Sequence, residues 1–399
     1  MTVEKVSTLD GRQQAISLAA IISTAFGVGL AFGIGVPLTA LTFAASQQSE
    51  WMIGLAGAAP ALGVLAMLPF VPRIMARLGP VAAIAGGCVL GALGFFALYA
   101  FASPWAWIAL RCLMSAGLAL PWLGGETWIN SVSSQNVRNR VIAVYVSVFF
   151  IGFALGPPAL QIVGTDGLLP YAIGAVGVTL SALPIVLAYK LAPPFDHDET
   201  TGLVAAGRIA PIATIGGFIA GFSEMTFFSL LPNVALAAGS SQNEALNLLT
   251  MLLLGGIFLQ FPLGWISDKL PRVTVHLSVI AAMCVLLWSL PSLLAMPFVP
   301  GIVAFLLGGI VLGFYTSSLA IIGEEVGPRD LAAANVAFLV MYQLGGMAGP
   351  LAAGVAMTWA PAIGFVATLT AATLVFAAIV VAFDLAAKRR VAQGCANAD

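Results

Sequence analysis

Charged residues are scarce in this sequence of 399 amino acids. Only 8% of the residues are Asp, Glu, Lys or Arg, whereas 60% are hydrophobic. A soluble domain usually carries about 25% charged residues, so a water-soluble fold of this composition has too few polar side chains to cover its surface. The shortage of charge therefore excludes an ordinary soluble protein and indicates a chain that is embedded in lipid.

Cysteine and histidine are also scarce, with four and two copies. The cysteines are scattered, mostly inside apolar runs, and show none of the paired spacing that is typical of metal ligands. Basic residues form no patch outside short loops, which argues against a nucleic-acid partner. We therefore expect no metal site, no cofactor and no nucleic acid, and we expect the lipid bilayer to be the main solvent.

Long apolar runs fill most of the chain. A helix needs about 20 apolar residues to cross the hydrocarbon core of a bilayer. By that measure the sequence predicts an all-α membrane protein with twelve transmembrane helices. The predicted spans are residues 15–44, 51–72, 80–102, 105–129, 141–164, 168–191, 209–238, 245–267, 273–294, 298–323, 331–358 and 362–384.

The basic residues lie on alternate loops. With twelve spans and a cytoplasmic N-terminus, every Lys and Arg except Arg111 falls on the cytoplasmic side, and the outer loops hold only Glu50, Asp166 and Glu244. This distribution follows the positive-inside rule. It predicts a multi-pass protein of a bacterial inner membrane with both termini in the cytoplasm.

The two halves of the sequence share landmarks at a nearly constant offset. The pair Gly156-Pro157 recurs 193 residues later as Gly349-Pro350, and Pro37 recurs 195 residues later as Pro232. A duplicated unit of this kind predicts two pseudo-symmetric six-helix bundles with a substrate site between them, near the middle of the membrane. The predicted division is residues 1–191, a cytoplasmic linker 192–208 and residues 209–399.

One loop carries a recognisable motif. Residues 264–272, Gly-Trp-Ile-Ser-Asp-Lys-Leu-Pro-Arg, resemble the motif Gly-x-x-x-Asp-Arg/Lys-x-Gly-Arg of the major facilitator superfamily. The equivalent loop of the first half has Ala76 in place of the Asp. Residues 152–157, Gly-x-x-x-Gly-Pro, resemble the antiporter motif of the same family, and the segments 126–130 and 138–140 are similar to a bacterial YcaD-type branch. The resemblance covers nearly the whole chain and implies a secondary transporter of small molecules, not an enzyme.

Two charged residues lie inside predicted spans. Glu224 is near the middle of the seventh span, where an ionised side chain costs at least about 2.5–3.5 kcal/mol. This cost predicts that Glu224 exchanges a proton or binds substrate, although a protonated Glu bonded to a neighbouring helix is the alternative. Arg111 lies in the fourth span and is predicted to bind an anionic group, or else to extend outward or to bond backbone carbonyls.

Two larger sets of residues complete the predicted site. Aromatic and amide side chains at nine positions are candidates to line the cavity, and they suit a planar or amphipathic solute: Phe26, Trp122, Tyr145, Phe149, Phe228, Asn233, Tyr315, Tyr342 and Gln343. Charged residues at cytoplasmic helix ends are candidates for a gate of ion pairs: Glu126, Arg138, Arg140, Asp268, Arg272, Glu324 and Arg329.

These observations together predict a proton-coupled transporter of a small organic solute that works by alternating access, with protons as partners and a functional monomer. The antiporter-like motif favours efflux of an amphipathic compound. Uptake of a nutrient, such as a vitamin or an aromatic metabolite, is an alternative, and so is a non-transporting membrane sensor with the same fold. An enzyme is disfavoured because the spans hold no cluster of catalytic groups or metal ligands.

Overall fold

The computed structural model describes residues 9–193, 211–267, 269, 272–326 and 331–396. These residues form helices and contain no β-strand. Twelve helical segments of this described part are long and apolar enough to span a membrane, which confirms the predicted fold class. We number these segments TM1 to TM12. Their helices are Gly11–Ala45 (TM1), Glu50–Met67 and Val71–Leu78 (TM2), Pro80–Ala100 (TM3), Pro104–Val132 (TM4), Gln135–Val163 (TM5), Leu169–Leu187 (TM6), Pro211–Ala237 (TM7), Gln242–Ser267 (TM8), Arg272–Leu293 (TM9), Val299–Glu325 (TM10), Leu331–Met357 (TM11) and Pro361–Ala396 (TM12).

Several helices are longer than the predicted apolar spans. TM1 begins at Gly11 with a capping box. The Asp10 side chain accepts a hydrogen bond from the backbone N–H of Gln13, and the Gln13 side chain accepts one from the backbone N–H of Asp10. TM2 continues through a short 3-10 turn, Leu68–Phe70, to Leu78. The length of an apolar run predicts only the part of a helix that lies inside the hydrocarbon core. It leaves out the polar and basic turns at the helix ends.

The helices pack in two pseudo-symmetric bundles of six. In the first bundle TM1 packs against TM4, TM5 and TM6, TM2 packs against TM4, and TM3 packs against TM4 and TM6. The second bundle repeats each of these pairs, so that TM7 packs against TM10, TM11 and TM12, TM8 against TM10, and TM9 against TM10 and TM12. The predicted duplication is therefore visible in the packing. The exact limits of the two units stay a prediction, since residues 194–210 lie outside the described residues.

Glycines bring equivalent helix pairs into contact in both bundles. A Cβ on Gly152 of TM5 would overlap the backbone of TM1 at Phe26, and a Cβ on Gly345 of TM11 would overlap the backbone of TM7 at Phe218. The two glycines are 193 residues apart, and the two phenylalanines are 192 residues apart. The motif that resembles an antiporter signature thus serves close helix packing in each half.

The bundles meet along TM2 with TM11 and along TM5 with TM8. We call the membrane face that carries Arg73, Arg77, Arg138 and Arg140 the basic face. Near the opposite face, the Gln161 amide donates to the Asn243 carbonyl (3.2 Å), and the Gln242 amide donates to the Thr165 hydroxyl (2.8 Å). These hydrogen bonds join TM5 and the following loop to TM8, and so they hold the bundles together at the face opposite the basic loops.

Candidate functional site

Glu224 lies in the interior of TM7 and is only 2% exposed. Its Oε2 accepts a hydrogen bond of 2.8 Å from the Tyr342 hydroxyl on TM11. Its Oε1 is buried and has no hydrogen-bond partner among the described residues. Because a buried polar atom without a partner is costly in lipid surroundings, this oxygen marks a position that a proton, a water molecule or a substrate group can satisfy.

Other polar atoms of TM7 share this property. The Ser223 and Ser229 hydroxyls and the Asn233 Oδ1 atom are also buried without a partner in the described part of the chain. Asn233 was among the predicted cavity residues, whereas the two serines were not singled out because serine is common in membrane helices and carries no charge. Together with Glu224, they give TM7 four of the buried polar side chains that have an atom without a partner in the described part of the chain.

Aromatic rings surround the Glu224–Tyr342 pair. The Tyr315 ring on TM10 lies edge-on to Tyr342, with 5.3 Å between centroids, and also lies edge-on to Phe338 at 5.1 Å. Tyr315 is partly buried, whereas Tyr342 and Phe338 are buried. TM7, TM10 and TM11 therefore bring one carboxyl group and two phenols together at the centre of the second bundle.

The first bundle contributes a second acid to the same region. Glu126 of TM4 is half-buried and lies close to the Trp122 and Tyr145 side chains. Both Glu126 and Glu224 lie within electrostatic range of the Tyr315 phenol. Tyr315 thus has one acid of each bundle in its neighbourhood. Glu126 was predicted as part of a cytoplasmic gate. The structure places it six residues before the end of TM4, next to the Trp122 and Tyr145 side chains.

Arg111 of TM4 lies apart from this cluster. It is 3% exposed, and its Nη1 approaches Gly35 of TM1 next to the Phe95 ring of TM3. Its Nε has no hydrogen-bond partner among the described residues. The guanidinium therefore lies inside the first bundle and neither extends to the membrane surface nor contacts Glu224.

The remaining predicted cavity residues fall into two groups. Phe26, Trp122 and Phe149 are partly buried on TM1, TM4 and TM5, and the Trp122 and Phe149 rings are stacked at 6.1 Å. The other three are buried: Tyr145, whose hydroxyl donates to backbone carbonyls of TM4, Phe228, which contacts the Phe153 ring at 4.8 Å, and Gln343.

The predicted gate is only partly described. Arg138 is half-buried at the start of TM5, where its Nη2 donates to the Ser133 carbonyl (3.4 Å), and Arg140 is exposed. The hydrogen bond of Arg138 lies within the first bundle. Asp268 and Arg329 lie outside the described residues, as do the side chains of Arg272 and Glu324. The ion-pair gate therefore stays a prediction.

Known sequences match the chain in two segments, one for each bundle. The family model of the Major Facilitator Superfamily matches residues 16–210 and 213–394. The MFS-type transporter YfkF of Bacillus subtilis is 28% identical over 337 residues, which cover 82% of this chain and 85% of that protein. The MFS-type transporter YcaD of Escherichia coli is 25% identical over 326 residues, with coverage of 80% and 84%.

Solved structures share the fold at lower identity. A crystal structure of a variant of the nucleoside transporter NupG has a TM-score of 0.75 at 16% identity and covers 92% of this chain and 99% of its own. A D-xylose–proton symporter has a TM-score of 0.65 at 15% identity and covers 91% of this chain and 96% of its own. These relatives are transporters, not enzymes. The chain is a multi-pass membrane transporter that belongs to the major facilitator superfamily.

Proposed function

We propose that this protein is a proton-coupled secondary transporter of a small organic solute and that Glu224 carries the coupling. The supporting observation is the Glu224 carboxyl group, which is buried in TM7, bonded through Oε2 to Tyr342, and without a partner at Oε1 among the described residues. An ionised carboxylate at this depth is costly, and binding a proton removes the cost. A substrate that bonds to the free oxygen competes with or requires that proton, which links the two events.

The packing supports alternating access as the mechanism. The bundles are joined by hydrogen bonds at the face opposite the basic loops, through Gln161 and Gln242. The positive-inside rule assigns the basic face to the cytoplasm, so this arrangement is a state closed toward the outside, with both termini cytoplasmic. The proposal includes a functional monomer, in which the second bundle supplies Glu224 and the first bundle supplies Glu126.

The chemistry of the site favours an amphipathic solute with an aromatic or other planar part. Phe149, Trp122 and Tyr315 offer ring faces for the planar part, and the polar atoms of TM7 without a partner among the described residues offer hydrogen bonds for the polar end. We favour export of such a compound. Uptake is the second candidate, because the same fold serves a protein named as a nucleoside transporter and another named as a D-xylose–proton symporter.

The test begins with purified protein and a thermal-shift screen of nucleosides, pentoses and amphipathic aromatic amines. The compound with the largest stabilisation is then used for flux in proteoliposomes, with and without an imposed pH gradient. We expect gradient-dependent accumulation by the wild-type protein and none by Glu224→Gln, because the amide is a neutral mimic of the protonated acid and cannot release a proton.

The matched control is Glu244→Gln, which removes the same charge from an exposed position in the first turn of TM8. This variant should transport like the wild type. Gradient-dependent flux in Glu224→Gln at the wild-type rate would remove Glu224 from the coupling mechanism. A wild-type protein that binds the compound without moving it, with or without a gradient, would favour a sensor.

A further inference from the structure

A cavity lies within the second bundle, toward the basic face. Its volume is about 680 Å³, and it is lined by TM8, TM9 and TM10. This size falls in the range of roughly 300–1,000 Å³ that is typical of small-molecule sites. Most of the wall is apolar, but five side chains in it carry hydrogen-bonding groups: Gln260, His276, Ser278, Thr316 and Ser317. None of these residues belongs to the central Glu224 site.

The first bundle has no such polar wall at the equivalent positions. There, the Met75 and Ile84 side chains pack directly over Gly124, so that a Cβ on this glycine would overlap Met75. The residue equivalent to Ile84, 192 positions later, is His276, and the residue equivalent to Gly124, 193 positions later, is Ser317. Where the first bundle has a filled apolar contact, the second bundle therefore has an open cavity with polar groups.

Two more equivalences show the same change. Leu68 of the first half corresponds to Gln260, and Leu123 corresponds to Thr316, at offsets of 192 and 193 residues. Each polar group that is placed inside a membrane costs free energy unless it finds a hydrogen-bond partner. The Thr316 hydroxyl meets this cost by donating to the Gly313 carbonyl (3.2 Å). A wall that exchanges leucine for glutamine is thus poor lining for an empty cavity and good lining for an occupant with a polar end.

The position of the cavity indicates where the occupant comes from. TM9 packs against TM10 and TM12 and lies at the periphery of the second bundle, so the gap between TM8 and TM9 opens toward the bilayer. Phe261 of the cavity wall is exposed there. Gln260 is seven residues before the end of TM8 and Thr316 is nine before the end of TM10, which places them roughly 10–13 Å from the helix ends. This depth is near that of lipid headgroups and upper acyl chains in the leaflet of the basic face.

A positive charge lies just beyond the TM8 residues that line the cavity. The Lys269 ammonium lies 3.3 Å from the centroid of the exposed Trp265 ring. Trp265 adjoins Gly264 and Ile266, which both line the cavity. Tryptophan and lysine are typical anchors at the headgroup level of a membrane, and a lysine in this position favours an anionic group.

We propose that this cavity is a binding site for one anionic phospholipid of the leaflet at the basic face. The acyl chain contacts the apolar wall near Phe261, the ester and headgroup oxygens accept hydrogen bonds from the Gln260 amide, and the phosphate faces Lys269. This site is separate from the transport site, and the proposal does not depend on the solute that is transported.

The test fills the cavity with the residue that stands at the equivalent position of the first bundle. Gly313 lines the cavity, has open space where a Cβ would be, and corresponds to Leu120. Wild-type protein and Gly313→Leu are purified from an equimolar mixture of phosphatidylglycerol and phosphatidylcholine, and retained lipid is counted by native mass spectrometry. We expect the wild type to retain phosphatidylglycerol preferentially and Gly313→Leu to retain at least tenfold less of it.

The matched control is Gly86→Leu, which adds the same side chain to an exposed glycine of TM3 that also has open space at its Cβ. It should retain lipid like the wild type. Gln260→Leu and Thr316→Leu, which restore the first-bundle residues, provide a second pair if Gly313→Leu does not fold. Lys269→Gln should reduce the preference for phosphatidylglycerol and leave retention of phosphatidylcholine unchanged.

Two results would overturn the proposal. Equal retention of phosphatidylglycerol by the wild type, Gly313→Leu, Gln260→Leu and Thr316→Leu would place the bound lipid elsewhere. Absence of any retained lipid from the wild type, or loss of the lipid on adding the transported solute without an effect of Gly313→Leu, would show that the cavity does not hold phospholipid.

Discussion

The two bundles share a scaffold but differ at its centre. In the second bundle Glu224, Tyr342 and Tyr315 form a polar cluster. The residues 192 or 193 positions earlier are Phe32, Phe149 and Trp122, and they make the same contacts through rings alone, at 6.3 Å between Phe32 and Phe149 and 6.1 Å between Phe149 and Trp122. The duplicated geometry is thus retained while its chemistry has changed in one half.

The difference is reciprocal at a second position. Glu126 of the first bundle corresponds to Leu319 of the second, 193 residues later. Each bundle therefore supplies one acid where the other supplies an apolar side chain, and Tyr315 lies within electrostatic range of both acids. Two acids on different bundles change their separation when the bundles rock, whereas two acids on one bundle do not. This asymmetry suits a carrier in which protonation is linked to bundle movement.

The largest effect is expected when the first bundle receives the acid of the second. Phe32→Glu places a carboxyl group beside Phe149, which has no hydroxyl to donate. We expect the free energy of unfolding to fall by about 2.5–3.5 kcal/mol, the cost of an unpaired acid at this depth. Thermal unfolding in detergent measures the loss.

Adding Phe149→Tyr to Phe32→Glu rebuilds the pair that exists between Glu224 and Tyr342, and should recover part of the stability. Phe32→Leu is the control for lost ring volume. If Phe32→Glu is as stable as Phe32→Leu, the two central sites do not differ in their tolerance of an acid, and the comparison fails.

The scaffold itself should respond alike in both halves. Gly152→Ala and Gly345→Ala each place a methyl group against the backbone of a facing helix. We expect each to reduce the free energy of unfolding by about 1–3 kcal/mol, as overpacking does. Gly86→Ala, at an open position, should cause no loss and should stabilise by up to about 1 kcal/mol, because alanine favours a helix more than glycine does. A large loss in one bundle and none in the other would show that the two glycine contacts are not equivalent.

The scaffold could be predicted from the sequence because each apolar span meets the length and composition that the bilayer requires within its own residues. Twelve apolar runs, alternating basic loops and a constant offset between Gly156 and Gly349 are local or periodic signals. They predicted the helices and the pseudo-symmetry correctly. Glu224 was equally visible, since an acid in the middle of an apolar span is conspicuous in any sequence.

The partners of these residues were not predictable in the same way. Tyr342 is 118 residues from Glu224, and only the packing of TM11 against TM7 brings them together. Tyr145 was predicted to line the cavity, but its hydroxyl is bonded to backbone carbonyls of TM4. The cavity between TM8, TM9 and TM10 gave no sequence signal until its residues were aligned with their counterparts in the first half.

A smaller effect is expected from the Tyr342 hydroxyl. Tyr342→Phe makes the second bundle resemble the first at Phe149 and leaves Glu224 without its donor. A hydrogen bond contributes about 0.5–1.5 kcal/mol net, so coupled flux should fall by up to roughly tenfold and not disappear. Initial rates in proteoliposomes under a pH gradient measure the change. A loss as complete as in Glu224→Gln would assign Tyr342 an essential part in the proton step.

The smallest expected effect concerns the hydroxyl of Tyr145. It donates to the Pro121 and Trp122 carbonyls at 3.2 and 3.1 Å, and the equivalent residue of the second bundle is already a phenylalanine, Phe338. Tyr145→Phe should therefore lower the free energy of unfolding by about 1 kcal/mol or less and leave the rate of coupled flux unchanged. Thermal unfolding and proteoliposome flux on the same preparation separate the two quantities. A clear loss of flux with unchanged stability would place the Tyr145 hydroxyl in the transport site, and would mean that the two bundles also differ in chemistry beyond the central cluster.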